Sequence, residues 1–501
     1  MKKVFYNKFL LAAVGGLFLF TSCENDDIPV LEEEEPVVPL VAGSANVANF
    51  VSIGNSLTAG FTDGALFILG QENSFPNLLS QKFAMIGGGN FTQPLMNDNI
   101  GGALLGGVQI LPQRLYFDGA GPAPVNQVPT TEISNIQPGP YNNMGVPGAK
   151  SFHLLANGYG NIGGIQTGQA NPYFVRMASN ANASMLEDAV AQNPSFFTLW
   201  IGNNDVLSFS TAGGAGVNQT GNPDPTTYGS NDITDPTVFA GVYNAILGSM
   251  AGNGSQGIVL NIPYVFTIPY FTTVPYNPIP ADAGTAALVN AGYAPYNVGL
   301  QQALAAGLIT AEEAAARTIN FVEGQNAVVI EDEYLTDLSA LGLPNYRQTT
   351  EADLPVLLGA SFIGTLVNND PTLINGVTVP LTDQWVLTVD EIEEVTVATD
   401  AYNAAIAAAA SANGVILIDA NALLQQIFDT GIPFDEFNLN GSLVFGGTFS
   451  LDGVHPTSRG NAFVANQILL AMDEVFGTNF EEAGELFKAA DFTTLYPEIL
   501  P

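Results

Sequence analysis

Positive charge, sulfur and imidazole are all scarce in this chain: 11 lysines and arginines stand against 47 acids, with one cysteine and two histidines in 501 residues. A single cysteine, Cys23, excludes an internal disulfide, a dithiol redox couple and a cysteine-based metal site. The formal charge of −36 repels phosphate backbones and anionic head groups, which argues against nucleic acid as a partner and against adsorption to acidic lipid. The acidity is not that of a disordered chain, because 47% of the residues are hydrophobic and must be buried somewhere.

The N-terminus reads as a targeting segment. Lys2, Lys3 and Lys8 precede an apolar run, Phe9 to Phe20, that is short for a membrane span. Phe20-Thr21-Ser22-Cys23 then resembles a bacterial lipobox, which implies cleavage after residue 22 and a lipid on Cys23. A plain secretory signal followed by an incidental thiol is the other reading. Loss of three lysines would leave eight basic against 47 acidic residues, a net charge of −39. Glu24, Asp26, Asp27 and Glu32 to Glu35 resemble the surface-export signals of some Gram-negative lipoproteins, and with Pro29, Pro36 and Pro39 they also read as a solvated, semi-extended tether. The expected location is the cell envelope, with the chain lipid-anchored at the outer membrane or cell surface.

Strand-like and helix-like stretches alternate over the rest of the chain. Phe50 to Ile53, Ser195 to Ile201, Gly257 to Ile262 and Val415 to Ile418 are apolar runs of the kind found in buried parallel strands. Helices are expected at 75–83, 184–192, 236–250, 420–428 and 459–476, and a long one opens at Thr388 with Glu391 three positions on. Residues 86–140 are Gly-, Pro- and Asn-rich loops, expected to form a wall or lid. The Tyr/Pro/Phe-rich start of 264–385 interrupts the alternation, and reads either as packing or as a surface that contacts substrate. The expected fold class is α/β, a three-layer α/β/α sandwich with a mostly parallel sheet and a large insertion. The expected divisions are a signal peptide at 1–22, an acidic linker at 23–46, a core at 47–263 and 386–480, an inserted subdomain at 264–385 and a C-terminal tail at 481–501.

Four turns at the ends of these elements carry chemistry. Ser56 follows a strand that breaks at Gly54, so the sheet edge would present its hydroxyl. His455 can take a proton near neutral pH, and Asp452, three residues earlier, can accept from its other ring nitrogen. The backbone N–H groups of Ser56 and Gly148, with the Asn204 amide, can supply donors to an oxyanion. Asp205 reads as a turn brace that holds the Ser56 loop. His153, the other histidine, reads as a packed or surface residue. The acidic loop 222–235 lacks the ligand spacing of an EF-hand, though its acids leave a calcium ion open.

These blocks, Gly54-Asn55-Ser56-Leu57, Val146-Pro147-Gly148-Ala149, Gly202-Asn203-Asn204-Asp205 and Asp452-Gly453-Val454-His455-Pro456, resemble the SGNH/GDSL family of esterases and lipases. Asn55 departs from the aspartate usual there, and the insertion has no counterpart in the resemblance. The resemblance implies hydrolysis of carboxylic esters by Ser56, His455 and Asp452, with an oxyanion hole from Ser56, Gly148 and Asn204. It implies no cofactor and no metal, and a small-molecule, lipid or acylated-glycan ester as substrate. A non-catalytic lipoprotein that binds glycan or lipid on the same scaffold is the alternative.

Overall fold

The computed structural model describes residues 38–501. The expected signal peptide, the lipidation site Cys23 and the acidic run to Glu35 lie outside the described residues. Five parallel strands form the central sheet: β1 (Phe50–Gly54), β2 (Asn143–Gly145), β3 (Phe196–Trp200), β4 (Gln256–Leu260) and β5 (Ile416–Ile418). Their order across the sheet is β5-β4-β3-β1-β2. After β1 the chain moves to one side for β2 and then crosses to the other for β3, so the topology switches around β1. Open α/β sheets place ligands at the carboxyl ends of strands beside such a switch.

Helices cover both faces, which is why β1 and β3 are buried at every position and read as continuous apolar runs. The one polar pair inside, Ser52 on β1 and Thr198 on β3, is satisfied by a 2.6 Å hydrogen bond between the two hydroxyls. Helix α1 (Ser56–Ala59) is a single turn at the end of β1, and α2 is Phe75–Ala84. After β3 come α3 (Asn204–Thr211) and α4 (Pro236–Ala251), and α5 (Ala283–Ala305) follows β4. The C-terminal half adds α6 (Val389–Asn413), α7 (Ala420–Asp429) and α8 (Ser458–Phe476). Glu391 caps α6 by accepting the Thr388 N–H at 2.6 Å, and Gly414 ends it in the left-handed region at φ +63°.

The sequence reading misses α5, the second-longest helix among the described residues. Pro295 lies inside it, and three glycines and scattered polar residues hide its apolar face. That face, with Ala286, Val289 and Leu300, joins Phe321, Val328 and Val329 in a buried cluster separate from the main core. Residues 86–140, expected as loops, contain two short hairpins, Ala103–Leu105 with Val108–Leu111 and Leu115–Phe117 with Pro122–Pro124. The C-terminal segment is docked. Arg114, buried, donates to the carbonyls of Pro497 (2.7 Å) and Glu498 (3.0 Å), and Tyr496 meets the Ser458 hydroxyl at 2.5 Å. Residues 40–501 form one compact unit.

Phe197 on β3 faces Gly257 on β4, and a Cβ at Gly257 would lie 2.3 Å from the phenyl ring. The glycine is the space the ring occupies. Phe197→Ala is expected to lower stability by about 3–5 kcal/mol, the usual cost of emptying a phenylalanine site. Gly257→Val should destabilise by overpacking, and Phe197→Leu combined with Gly257→Ala should cost less than the two single changes together. Urea denaturation of Phe197→Ala, Gly257→Val, Phe197→Leu, Gly257→Ala and the double variant checks this.

Candidate active site

Three carboxyl ends meet at the site because β1 pairs with β2 on one side and with β3 on the other. The turn after β1 is tight: a Cβ at Gly54 would sit 2.3 Å from Thr58 Oγ1 and 2.4 Å from the Trp200 carbonyl. Asn55 then caps α1, its Oδ1 accepting the Leu57 N–H at 3.0 Å while its Nδ2 donates to Asn203 Oδ1 at 3.1 Å. A carboxylate at this position would have no hydrogen for Asn203, so the asparagine ties the first block to the third in a way an ionised aspartate would not. Ser56 is the first residue of α1 and is buried, with 6% of its surface exposed.

His455 reaches Ser56 from the far end of the chain. Its Nε2 lies 2.9 Å from Ser56 Oγ, across 399 residues, and its Nδ1 lies 2.8 Å from Asp452 Oδ2. An ionised carboxylate only accepts, so Nδ1 carries the hydrogen and Nε2 presents a lone pair to the serine hydroxyl. Asp452 also accepts from the backbone N–H of Gly64, Val454 and His455, each at 2.9 Å, and from the Ser450 hydroxyl at 3.0 Å. Burial alone would push this carboxyl up, but the His455 charge and the hydrogen bonds outweigh it and hold Asp452 at about 2. It is therefore a carboxylate over the whole ordinary pH range.

The expected donor groups lie on the turns after β2 and β3. Asn204 begins α3, is 7% exposed, and donates one amide hydrogen to the Ala149 carbonyl at 2.9 Å, leaving the second free. Gly148 follows β2 in the left-handed region at φ +80°, a conformation that favours glycine. Asn171 Nδ2 holds the Pro147 carbonyl at 2.8 Å. In a trans peptide the following N–H points the opposite way, so Asn171 fixes the direction of the Gly148 N–H. The sequence reading missed Asn171, which precedes Pro172 and looks only like a helix cap.

Two expectations are redirected. Asp205 braces the segment after Gly148, accepting the Ser151 N–H (2.8 Å) and hydroxyl (2.7 Å), and not the Ser56 loop. Residues 86–140 do not line the cavity beside Ser56. That cavity, about 120 Å³, is walled by residues of 200–207, 260–268, 418–427 and 448–467. The Tyr/Pro/Phe segment contributes to it through Val265 and Ile268, while Tyr270 and Phe271 are packed inside. His153 is a packed histidine: it stacks on Tyr159 with 4.4 Å between ring centres, accepts the Lys150 N–H, and burial lowers it to about 3.

The acids of 222–235 are occupied as caps and turn acceptors. Asp224 holds Thr226, Asp232 takes the N–H groups of Val217 and Gly229, and Asp235 caps α4. Among the described residues, the group with metal-ligand character is Glu333, Asp383 and Glu391, whose carboxylate oxygens lie within 4.8 Å of one another. None of the three lines the cavity beside Ser56.

A further missed residue is Asp63, in the left-handed region at φ 50° within a Thr62-Asp63-Gly64 turn. Its carboxylate accepts the Leu451 N–H at 3.0 Å, and the Ser450 hydroxyl accepts its own N–H at 2.9 Å. Burial raises Asp63 to about 7; the Leu451 N–H and Arg114 oppose that shift and the nearby Asp452 charge adds to it. A raised acid keeps its proton in the folded state after the unfolded state has lost it, so this group's contribution to stability falls as pH rises from about 4 to about 7. Asp63→Asn retains the acceptor for Leu451 without the charge. It should flatten the stability curve over that window and raise Tm relative to the wild type at pH 8, measured by thermal unfolding across pH. Comparison with protein-family models, with curated proteins and with solved structures yields no match.

Proposed function

We propose that the chain is a serine hydrolase of carboxylic esters, of the SGNH/GDSL type, built on a three-layer α/β/α core with the 264–385 insertion. The observation that carries this reading is the continuous relay from Asp452 through His455 to Ser56, at 2.8 and 2.9 Å. Ser56 Oγ attacks the ester carbonyl as its proton passes to His455 Nε2, and Asp452 stabilises the imidazolium. The oxyanion is received by the N–H groups of Ser56 and Gly148 and by the free hydrogen of the Asn204 amide. His455 then gives its proton to the leaving alcohol, and an acyl group remains on Ser56. Water, deprotonated by the same imidazole, attacks the acyl group and releases the acid. A purely binding protein would have no use for the hydrogen-bonded relay. The N-terminal lipobox and acidic run support export and lipid anchoring at the cell envelope, and the net charge supports an uncharged ester as substrate.

The test is turnover of short-chain p-nitrophenyl esters. Ser56→Ala should lose at least about 10³-fold in kcat, the scale on which removing a nucleophile is felt. Equal rates for wild type and Ser56→Ala would remove the mechanism. Asn204→Ala should lower kcat by about 10²–10³-fold with a smaller change in KM, because its free donor acts on charge that develops only in the transition state. Asn171→Ala should also lower kcat more than KM, by misdirecting the Gly148 N–H, without touching substrate.

A further inference from the structure

The cavity beside Ser56 has mostly apolar walls. Ser56, His455, Asn204, Asn55 and Asn203 line one end, while Leu207, Val265, Ile268, Leu424, Ile427 and Phe463 supply the walls. Two polar side chains, Thr448 and Gln467, are the remaining exceptions among its lining residues. Walls of this kind offer a sugar hydroxyl almost no partner, and an unpaired buried hydroxyl is costly. An alkyl chain needs none. The volume sets the length: an apolar cavity of about 150 Å³ takes a benzene molecule, and this one, at about 120 Å³, takes a chain of similar or slightly smaller bulk.

The two halves of an ester make different demands on such a space. The acyl half stays on Ser56 between the two half-reactions and needs a site through both. The alcohol half leaves after the first and is best placed where it can depart. A walled cavity whose one polar end is the nucleophile suits the half that stays. We infer that it is an acyl-chain site, which makes the substrates esters of straight, uncharged acyl groups of about six carbons, an inference that rests on the esterase reading above. Acetyl groups leave most of the cavity unfilled. Substantially longer chains must emerge into solvent.

Leu424 is a natural point of control. It lies on α7, lines the cavity, and is only partly buried, so its replacement need not disturb the core. The experiment measures kcat/KM for p-nitrophenyl acetate, butyrate, hexanoate, octanoate and palmitate. It is repeated with an alcohol series, methyl to hexyl, at constant acyl group. From acetyl to hexanoyl the constant should rise by about 10²-fold, since each buried methylene is felt several-fold, and beyond octanoyl it should level or fall. Leu424→Trp should bring the hexanoyl-to-acetyl ratio close to one, and Ile427→Ala should move the optimum to longer chains.

A flat acyl series, a rise that follows the alcohol, or a ratio unchanged in both variants would overturn the inference. Ser56→Ala separates this from failure of the esterase reading. Titrated calorimetrically with hexanamide and acetamide, it should bind the former at least ten-fold more tightly whether or not the wild type turns over ester. Equal binding of the two amides would remove the acyl site even if hydrolysis is observed.

Discussion

One carboxylate ties the loop that carries His455 to the segment that follows β1. Asp452 accepts hydrogen bonds from Gly64, near the start of the fold, and from Ser450, Val454 and His455 in its own loop. Each bond to an ionised acceptor is among the stronger kinds, and together they leave the loop one conformation in which the imidazole faces Ser56. The sheet brings the right strand ends to one edge. Asp452 then converts proximity into a hydrogen-bonded line. Without it, His455 would sit on a loop joined to the Ser56 side by Asp63, which exchanges hydrogen bonds with Ser450 and Leu451, by Thr62, whose hydroxyl donates to the Pro456 carbonyl, and by ring contact with Phe61 at 4.6 Å.

The neighbourhood of this carboxylate holds a second one that behaves in the opposite way. Asp63 is buried and Asp452 is 13% exposed at its side chain; both accept backbone N–H groups, yet one is raised to about 7 and the other lowered to about 2. The difference lies in their partners. Asp452 faces an imidazole and takes several donors, whereas Asp63 takes a single backbone N–H and feels the charge of Asp452. Two full negative charges this close in a buried region are unfavourable, so the proton goes to the member with fewer donors. Among the described residues, the Arg114 guanidinium is the basic group acting on Asp63, and its hydrogen bonds go to the carbonyls of Asn99, Leu115, Pro497 and Glu498.

What the sequence discloses follows from how local each feature is. Strands β1, β3 and β4 are legible because burial on both faces makes them mostly apolar, and α6 because its cap and its glycine stop lie at its own two ends. Ser56, Asn204, Asp452 and His455 are legible as residue types on turns at strand ends. Asn171, Asp63 and Arg114 are not, because each acts on residues distant in sequence, and nothing in an Asn-Pro or Asp-Gly pair distinguishes such a brace from an ordinary turn. The helix Ala283–Ala305 is hidden for a different reason. Its partners are a short helix, short strands and loops of the same region, so its buried face is irregular, and Pro295 falls where periodicity would otherwise be read.

The cavity wall and the base are not independent parts. Tyr270 donates its backbone N–H to the Gly453 carbonyl at 3.0 Å, which fastens the 264–276 segment to the loop between Asp452 and His455. Two residues earlier in that segment, Ile268 lines the cavity, and Val454 lines it from the loop itself. A Cβ at Gly453 would meet the Tyr270 backbone at 3.0 Å, so the two strands of chain touch without an intervening side chain. Displacement of the wall by an oversized occupant would therefore pull on the loop that aims the imidazole. On the esterase reading, chain-length selection in such an arrangement would act on the chemical step as well as on binding, because the wall is hydrogen-bonded through Gly453 to the loop that carries His455.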